Sequence, residues 1–146
     1  MTKQDLYKFV KESNEIERIF REPTQTEIDE LERFINLKEI TIKELQKFIS
    51  VYQPDAKLRD DYFMDVRVGS YYPPFGGPGI PISLQKILDS NQDAYNLHIS
   101  YEKLHPFTDG NGRSGRALWA WKMKDITGGF LLNFYFQTLQ NYNKSS

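Results

Sequence analysis

Apolar residues recur at helical spacing along most of the chain, and capping signals divide this pattern into separate helices. The first stripe predicts a continuous helix whose buried face carries Leu6, Phe9, Val10, Ile16 and Phe20. Two further helices are predicted where a threonine is followed three residues later by a glutamate, the pattern of a capping box. These pairs are Thr24 with Glu27 and Thr41 with Glu44.

The second half of the chain is also helical in pattern, with helices predicted over 82–88, 93–104, 112–126 and 130–139. Asp93 suits the cap of the second of these, and Pro106 disfavours helix at His105, so this helix should end near Leu104. The 112–126 helix is apolar on all sides, which indicates a central, buried position. The polar residues 141–146 are expected to fray.

The middle of the chain, residues 57–81, carries few helix signals and predicts a short exposed hairpin followed by an irregular loop rich in proline and glycine. Gly69 and Ser70 suit a two-residue hairpin turn. The strand positions on either side of this turn are Val66, Arg67 and Val68 before it, and Tyr71 and Tyr72 after it. We therefore predict an all-α fold of about seven or eight helices around the 112–126 helix, with one small hairpin.

Composition narrows the class of protein. A chain of 146 residues is near the usual size of one domain, so we expect a single domain over 1–146. The absence of cysteine excludes disulfides and thiolate metal sites, and is compatible with the reducing cytoplasm that we expect. The net charge is −1 with scattered lysines and arginines, which argues against a nucleic-acid partner. No apolar run approaches the ~20 residues of a membrane span, and the charged N-terminus does not resemble a signal peptide.

The segment 105–116 carries the candidate chemistry. Its glycine-rich turn lies at the predicted N-terminus of a helix, where backbone N–H groups bind anions, phosphate most often. Two arginines follow on roughly the same face, and two guanidiniums there repel each other unless an anion joins them. The anion-binding positions are Gly110, Asn111, Gly112, Arg113 and Arg116.

Two more side chains complete this segment. Asp109 lies among the positive groups and is well placed to hold a magnesium ion that bridges phosphate oxygens. His105 lies across the turn and can accept a proton near neutral pH. A lone histidine or a lone Gly-Asn-Gly is usually structural, but the whole combination within twelve residues is hard to explain by packing. It matches the needs of phosphoryl or nucleotidyl transfer.

The segment resembles the signature of the Fic family, His-x-Phe-x-Asp/Glu-Gly-Asn-Gly-Arg-x-x-Arg, at every defined position. Upstream, Ala94, His98, Tyr101 and Glu102 look like the helix that precedes this motif in the family. The hairpin of residues 66–74 looks like its flap, and hairpin and loop together span 62–81. We interpret His98 as structural, because it lies on an apolar stripe. The resemblance covers essentially the whole chain.

The resemblance implies a role for each motif residue. His105 would be the general base that takes the proton from a hydroxyl of the target protein, and Phe107 would be a core anchor. Asp109 would ligate Mg²⁺. The α- and β-phosphates of ATP would bind at Gly110, Asn111 and Gly112. Arg113 would support the phosphates and the leaving pyrophosphate, and Arg116 would hold the γ-phosphate. The flap residues would pin the target segment by strand addition.

A second candidate site lies in the N-terminal region, 1–21. On a continuous helix Ser13 and Glu17 fall in the middle of the apolar stripe, where an ionised glutamate needs a partner; otherwise a helix break leaves Glu17 in solvent. The segment resembles the inhibitory helix of many Fic proteins, Ser/Thr-x-x-x-Glu-Gly/Asn, although Arg18 stands where Gly or Asn is expected. This resemblance implies that Glu17 pairs with Arg116 and blocks the γ-phosphate.

Several functions remain open. The expected one is an autoinhibited transferase that moves AMP from ATP to a Ser, Thr or Tyr hydroxyl of a target protein, or of the protein itself. A hydrolase of the same fold would instead remove AMP, with Glu17 orienting water. Transfer of the γ-phosphate is disfavoured by Gly112, where the related Doc proteins carry Lys. Transfer of UMP, GMP or phosphocholine stays open, while the intact His105 weighs against a catalytically silent binding module.

Overall fold

The structure is a computed structural model that describes the backbone of residues 1–145 and the side chains of residues 1–142. These residues form seven α-helices. Their bounds are α1 (Lys3–Ile16), α2 (Gln25–Ile35), α3 (Ile42–Tyr52), α4 (Gly79–Asp89), α5 (Ala94–Leu104), α6 (Asn111–Met123) and α7 (Leu131–Ser145). The predicted all-α class is confirmed. Within residues 1–145 no helix is long and apolar enough to cross a membrane.

Helix α6 lies at the centre of the molecule, as its all-round apolar sequence predicts. Its residues from Arg113 to Ala120 are all buried, and α1, α2, α3 and α5 pack around it. Trp119 is fully buried, with Phe9 of α1 stacked on it and Phe130 against it edge-on. A loop that enters α6 is therefore attached to the buried centre of the core.

The capping signals placed most helix starts correctly. The Thr24 hydroxyl accepts a hydrogen bond from the backbone N–H of Glu27, and the Glu27 carboxylate accepts one from the backbone N–H of Thr24, so that capping box is confirmed. Asp93 caps α5, which ends at Leu104 as Pro106 requires. Thr41 also caps its helix, but the second half of that predicted box is wrong. The carboxylate of Glu44 instead accepts a hydrogen bond from Arg33 at 2.6 Å, which joins α3 to α2.

The first helix is shorter than its apolar stripe predicts. Helix α1 ends at Ile16 because Arg18 adopts a left-handed conformation with φ of 61°, and Ile19 donates a hydrogen bond back to the Asn14 carbonyl. This pattern is a Schellman motif, which closes a helix C-terminus. Ile16 is 45% and Phe20 77% exposed, so their predicted places on the buried face are wrong.

Other helix bounds also differ from the predictions. Helix α4 begins at Gly79, so the loop predicted to reach residue 81 ends earlier. Helix α6 ends at Met123 rather than near 126, because Lys124 turns the chain with φ of 67°. Helix α7 continues to Ser145, so the fraying predicted for 141–146 is not seen as far as that residue. Ser146 lies outside the described residues.

The predicted hairpin is present, but it is reduced to its turn. Val68 and Tyr71 pair through two backbone hydrogen bonds of 2.9 Å each, and Gly69 between them has φ of 60°. In the described part of the chain no further bridge joins its two arms. We call residues 64–74 the flap, and most of its side chains are exposed.

Candidate active site

His105 is held at a helix end by its backbone. It is the C-cap of α5, with φ of 51° and ψ of 60°, and its N–H donates to the Tyr101 carbonyl at 3.0 Å. A left-handed conformation is unfavourable for a residue with a Cβ, so the surrounding contacts must hold it. The turn directs the chain away from α5 and leaves the half-buried imidazole at the rim of a cleft.

The loop between His105 and α6 is closed by an internal clamp. The side-chain amide of Asn111 accepts from the Phe107 N–H at 2.9 Å and donates to the Phe107 carbonyl at 2.8 Å. Phe107 is 1% exposed and pairs with Leu58 in an antiparallel bridge. Phe107 therefore lies in the core, where the family resemblance places it. The Asn111 side chain is committed to this clamp, so Asn111 can offer an anion its backbone N–H.

The N-terminus of α6 opens into the cleft without a side-chain cap. Gly110, with φ of 77°, makes the turn into the helix, and its N–H is bound by the Asp109 carboxylate at 2.7 Å. The first N–H groups of a helix have no intrahelical acceptor, and here they line a cleft of about 380 Å³. The partial positive charge at this end makes the cleft an anion site.

Two buried arginines flank the same helix end. Arg113 donates to Gln53 at 2.8 Å and to Asn14 at 3.4 Å, while its Nε is buried without a partner among the described residues. Arg116 donates through Nε to the Ser13 hydroxyl at 2.7 Å and through Nη2 to the Ser13 carbonyl at 3.0 Å. The predicted site residues from α1 and α6 thus meet, although 103 positions separate Ser13 from Arg116.

Glu17 reaches this anion site from the end of α1. It is the C-cap of that helix, and its side chain is 34% exposed, so the expected buried position on a continuous helix is wrong. Its carboxylate nevertheless lies 3.7 Å from the Arg116 guanidinium and covers Gly112, where an added Cβ would collide with it. Of the two interpretations that the sequence left open, the helix break is correct, yet Glu17 still faces the cleft.

Burial tunes the charged groups of the site. Burial first, and then the positive charge of Arg59, lower the pKa of His105 below its ordinary value, against a hydrogen bond to the Glu102 backbone and the charges of Asp109 and Glu17. The imidazole is therefore neutral at pH 7 and can accept a proton. Burial also lowers the pKa of Arg116, an effect that the charges of Glu17 and Glu102 oppose.

Two further residues bear on the site, Glu102 and Arg59, and the sequence assigned neither of them a role in it. Glu102 on α5 has a carboxylate oxygen that is buried without a hydrogen-bond partner among the described side chains, and burial raises its pKa to about 7 despite the nearby charge of Arg116. The signal was its place one turn after His98, on the buried side of α5. Arg59 is fully buried and donates to backbone carbonyls from distant segments, and nothing in the sequence pattern marks it.

His98 fits the structural interpretation. It is 7% exposed, its Nδ1 lies 3.0 Å from the Gly115 carbonyl, and its ring meets Phe134 edge-on. The flap meets α5 on the other side, where the Tyr71 hydroxyl donates to the Lys103 carbonyl at 2.8 Å. Between the flap and α5 lies a mainly apolar recess that ends at His105. The remaining flap positions, Val66, Arg67 and Tyr72, lie on the outer part of the hairpin, with Arg67 over the Tyr72 ring.

A metal ion at this cleft would need substrate phosphates as ligands in addition to the protein. Within the described residues no three His, Asp or Glu side chains gather as a metal cage. Asp109 is an exposed single carboxylate at the cleft. This arrangement fits Mg²⁺, which proteins hold through one or two carboxylates together with substrate phosphates and water.

The fold and the cleft define a class of protein. It is a small helical domain in which a histidine of lowered pKa lies beside an anion-binding helix N-terminus. A family model described as Fic/DOC family matches residues 31–122. The match covers more than half of the chain, and the protein belongs to the Fic/DOC family. No curated protein is detectably similar to it in sequence. Helices α1 and α7 lie outside the matched residues, so the position of Glu17 rests on the structure alone.

Proposed function

We propose that the protein transfers AMP from ATP to a Ser, Thr or Tyr hydroxyl of a target protein, and that Glu17 restrains this activity. Family membership supports the class of reaction, since the Fic/DOC family is known for moving AMP or other nucleotide monophosphates onto proteins. The observation that carries the proposal is the cleft itself, where His105, the N-terminus of α6 and Arg113 converge, with Arg116 beside Glu17 at its edge.

The phosphate chain of ATP would lie across the N-terminus of α6. The backbone N–H groups there, and the Nε of Arg113 that has no partner among the described residues, supply donors for phosphate oxygens. Arg116 would bind the γ-phosphate, since its guanidinium lies beside the Glu17 carboxylate, the anionic group that already covers this end of the helix. Asp109 would hold Mg²⁺, which supplies positive charge against the phosphate oxygens.

The chemistry that this geometry favours is an in-line displacement at the α-phosphorus. His105 accepts the proton of the target hydroxyl, and the hydroxyl oxygen forms a bond to the α-phosphorus. The bond from that phosphorus to the bridging oxygen breaks, and pyrophosphate leaves with the electron pair. The flap would hold the target segment by pairing its backbone with the exposed hairpin edge, which brings the hydroxyl to the imidazole.

Glu17 would oppose this arrangement in the absence of a productive nucleotide. Its carboxylate lies where the terminal phosphate of ATP would approach Arg116, and two anions cannot share that position. ATP must displace the carboxylate, or it binds with its α-phosphate out of line. The motif residues stay intact in either case, so restraint and catalysis are separable.

One labelling experiment tests the proposal. The purified protein, its Glu17→Gly variant and the double variant Glu17→Gly with His105→Ala are incubated in lysate with ATP labelled at either the α- or the γ-phosphate. We expect α-label on protein, most with Glu17→Gly, and a loss of about 10²- to 10⁴-fold in the double variant, because a general base contributes that much to the rate. The double variant should still bind ATP about as well as Glu17→Gly, since the base contacts the target hydroxyl and not ATP.

The other outcomes favour the alternatives. Transfer of γ-label would replace AMP transfer by phosphate transfer. Labelled UTP or GTP as the better donor would change the nucleotide. Release of AMP from a protein modified beforehand would favour the hydrolase, in which the same Glu17 carboxylate orients water. Absence of all these activities would leave a binding module and would contradict the proposal.

A further inference from the structure

Arg59 is a buried cation whose guanidinium forms no hydrogen bond to a carboxylate among the described residues, although the charge of nearby Asp65 acts on it and raises its pKa. The side chain is 0% exposed, and every hydrogen bond of its guanidinium within the described residues goes to a backbone carbonyl. Burial lowers its pKa, yet an arginine keeps its proton in a protein. A buried charge that is not paired directly with an opposite charge is costly, and apolar packing would stabilise such a position more simply. This cost indicates that the bonds of Arg59 to four carbonyls serve a function.

Two of these carbonyls belong to the segment that carries His105. The Nε of Arg59 donates to the carbonyl of His105 at 2.7 Å, and Nη2 donates to that of Leu104 at 2.9 Å. The Arg59 backbone N–H donates to the Pro106 carbonyl at 2.9 Å as well. Three successive carbonyls around the left-handed turn are thus fixed by one residue. These bonds offset the unfavourable conformation of His105.

The other two carbonyls belong to the two ends of the flap. A single nitrogen, Nη1, donates to Met64 at 3.1 Å and to Pro74 at 2.9 Å, so the chain is drawn together where the flap leaves and returns to the domain. Gly76 lies in the same neck, against the Met64 carbonyl, with no room for a Cβ. The outer flap is largely exposed, and in the described part of the chain two attachments orient it: this neck, and the Tyr71 hydroxyl that donates to the Lys103 carbonyl of α5.

We infer that Arg59 is a positioning residue that joins the backbone of His105 and both ends of the flap into one rigid unit. On the proposed function, the flap holds the target and His105 accepts its proton, so this unit fixes the distance between the hydroxyl and the imidazole. Misplacement of reacting groups by about 1 Å can cost about 10²-fold in rate. Arg59 does this without touching substrate, since it lies beneath the turn and fully out of solvent.

The charge and the hydrogen bonds of Arg59 can be tested separately. Its positive charge is, after burial, the second cause of the lowered pKa of His105. Arg59→Lys keeps the charge but cannot reproduce a fork of bonds to four carbonyls. Arg59→Met removes both. We would compare the two in the Glu17→Gly background, with Arg33→Lys as a control, because Arg33 is also a hydrogen-bonded arginine but joins α2 to α3 outside the cleft.

Three measurements apply to each folded variant: kcat/KM for AMP transfer to a target protein, the Kd of ATP, and NMR. The NMR experiments follow the titration of the His105 ring and the mobility of the flap backbone. Arg59→Lys should lower target kcat/KM about ten- to a hundredfold and loosen the flap, with the Kd of ATP within about twofold and the pKa of His105 unchanged. Arg59→Met should also raise the pKa of His105 toward its ordinary value. Arg33→Lys should leave all these quantities near those of the background variant.

If the Arg59 variants do not fold, Gly76→Ala gives the same test from the other side, because the added methyl wedges the neck apart while Arg59 remains. It should lower target kcat/KM and loosen the flap without moving the pKa of His105. Normal transfer and a rigid flap in Arg59→Lys, or in Gly76→Ala, would overturn the inference, as would equal losses of ATP binding and transfer. The NMR measurements do not depend on the group transferred, so failure of AMP transfer as the function would not be mistaken for failure of the coupling.

Discussion

Glu102 shows how burial changes a single acid. One of its oxygens is buried without a hydrogen-bond partner in the described part of the molecule, and its pKa is raised to about 7 from an ordinary 4.5. The folded state therefore holds a proton that the unfolded state releases between those two values. The stabilising effect of that proton is complete below pH 4.5 and is lost as the pH rises through 7.

Replacing Glu102 with Gln should consequently stabilise the protein at high pH. Glutamine resembles the protonated acid and carries no charge to bury, so we expect a melting temperature several degrees above wild type at pH 8, and a difference near zero at pH 4.5. Thermal melts followed by circular dichroism across this range measure it, with exposed Glu39→Gln as the control. A constant difference at every pH would contradict the assigned burial of the charge.

For individual residues, the sequence predicted those of the motif but not the residues that hold the motif in place. His105, Asp109 and Arg113 line one cleft, with Arg116 buried behind it, because their spacing within a single loop and the following helix turns places them there. Arg59 could not be found in the same way, since its acceptors are carbonyls, which every residue carries. Side chains that act on backbone from distant segments leave no pattern of residue types to recognise.

Among the helices, α1 ends at a backbone turn that sets the position of Glu17 at the site. Arg18 occupies the left-handed position of the Schellman motif, where glycine is preferred because it has no Cβ. We expect Arg18→Gly to relieve about 1 kcal/mol of backbone strain, partly offset by the greater freedom of the unfolded chain. The helix end that carries Glu17 should then be better fixed, so basal AMP transfer should fall.

The measurements for Arg18→Gly are a thermal melt and the basal rate of AMP transfer. Arg18→Ala is the matched control, since it removes the same charge but keeps the Cβ and the strain. If the alanine variant matches the glycine variant in both stability and rate, the charge of Arg18 is what matters, and the role assigned to the left-handed turn is wrong.

Helix starts were easier to predict than helix ends. Thr24 and Asp93 cap their helices through side chains that the sequence displays. The ends of α1 and α6 depend on Arg18 and Lys124 in left-handed conformations that their residue types disfavour. Tertiary contacts decide such positions, so the periodic pattern carried the predicted helices too far. The same error placed Glu17 on a buried helix face.

For the whole molecule, α1 contributes to both the core and the proposed restraint. Leu6, Phe9 and Val10 are each at most 2% exposed, and burial of such side chains stabilises by about 1.5–3 kcal/mol apiece. Glu17, by contrast, is one-third exposed and makes a loose ion pair, which contributes at most about 1 kcal/mol. Loss of the helix and loss of the acid are therefore different perturbations.

Glu17→Gly should raise AMP transfer, including self-modification, with little change in melting temperature. Arg116 keeps both hydrogen bonds to Ser13 in this variant, so its guanidinium remains in place. Deletion of residues 1–21 should instead lower the melting temperature by more than about 10 °C and remove the Ser13 bonds. Transfer rates and melts of the two proteins decide the point. An increase confined to the deletion, or slower transfer by Glu17→Gly, would exclude autoinhibition by this acid.

Because α1 is anchored in the core, the Glu17 carboxylate is an intramolecular ligand of the anion site. Its local concentration is set by a tether of fixed length, on the order of millimolar or higher for short connections. Dilution of the protein cannot lower that concentration, and a partner is not needed to maintain it. ATP competes against a fixed local concentration of this carboxylate. On the proposed function, the active fraction therefore follows the concentration of ATP and not that of the protein.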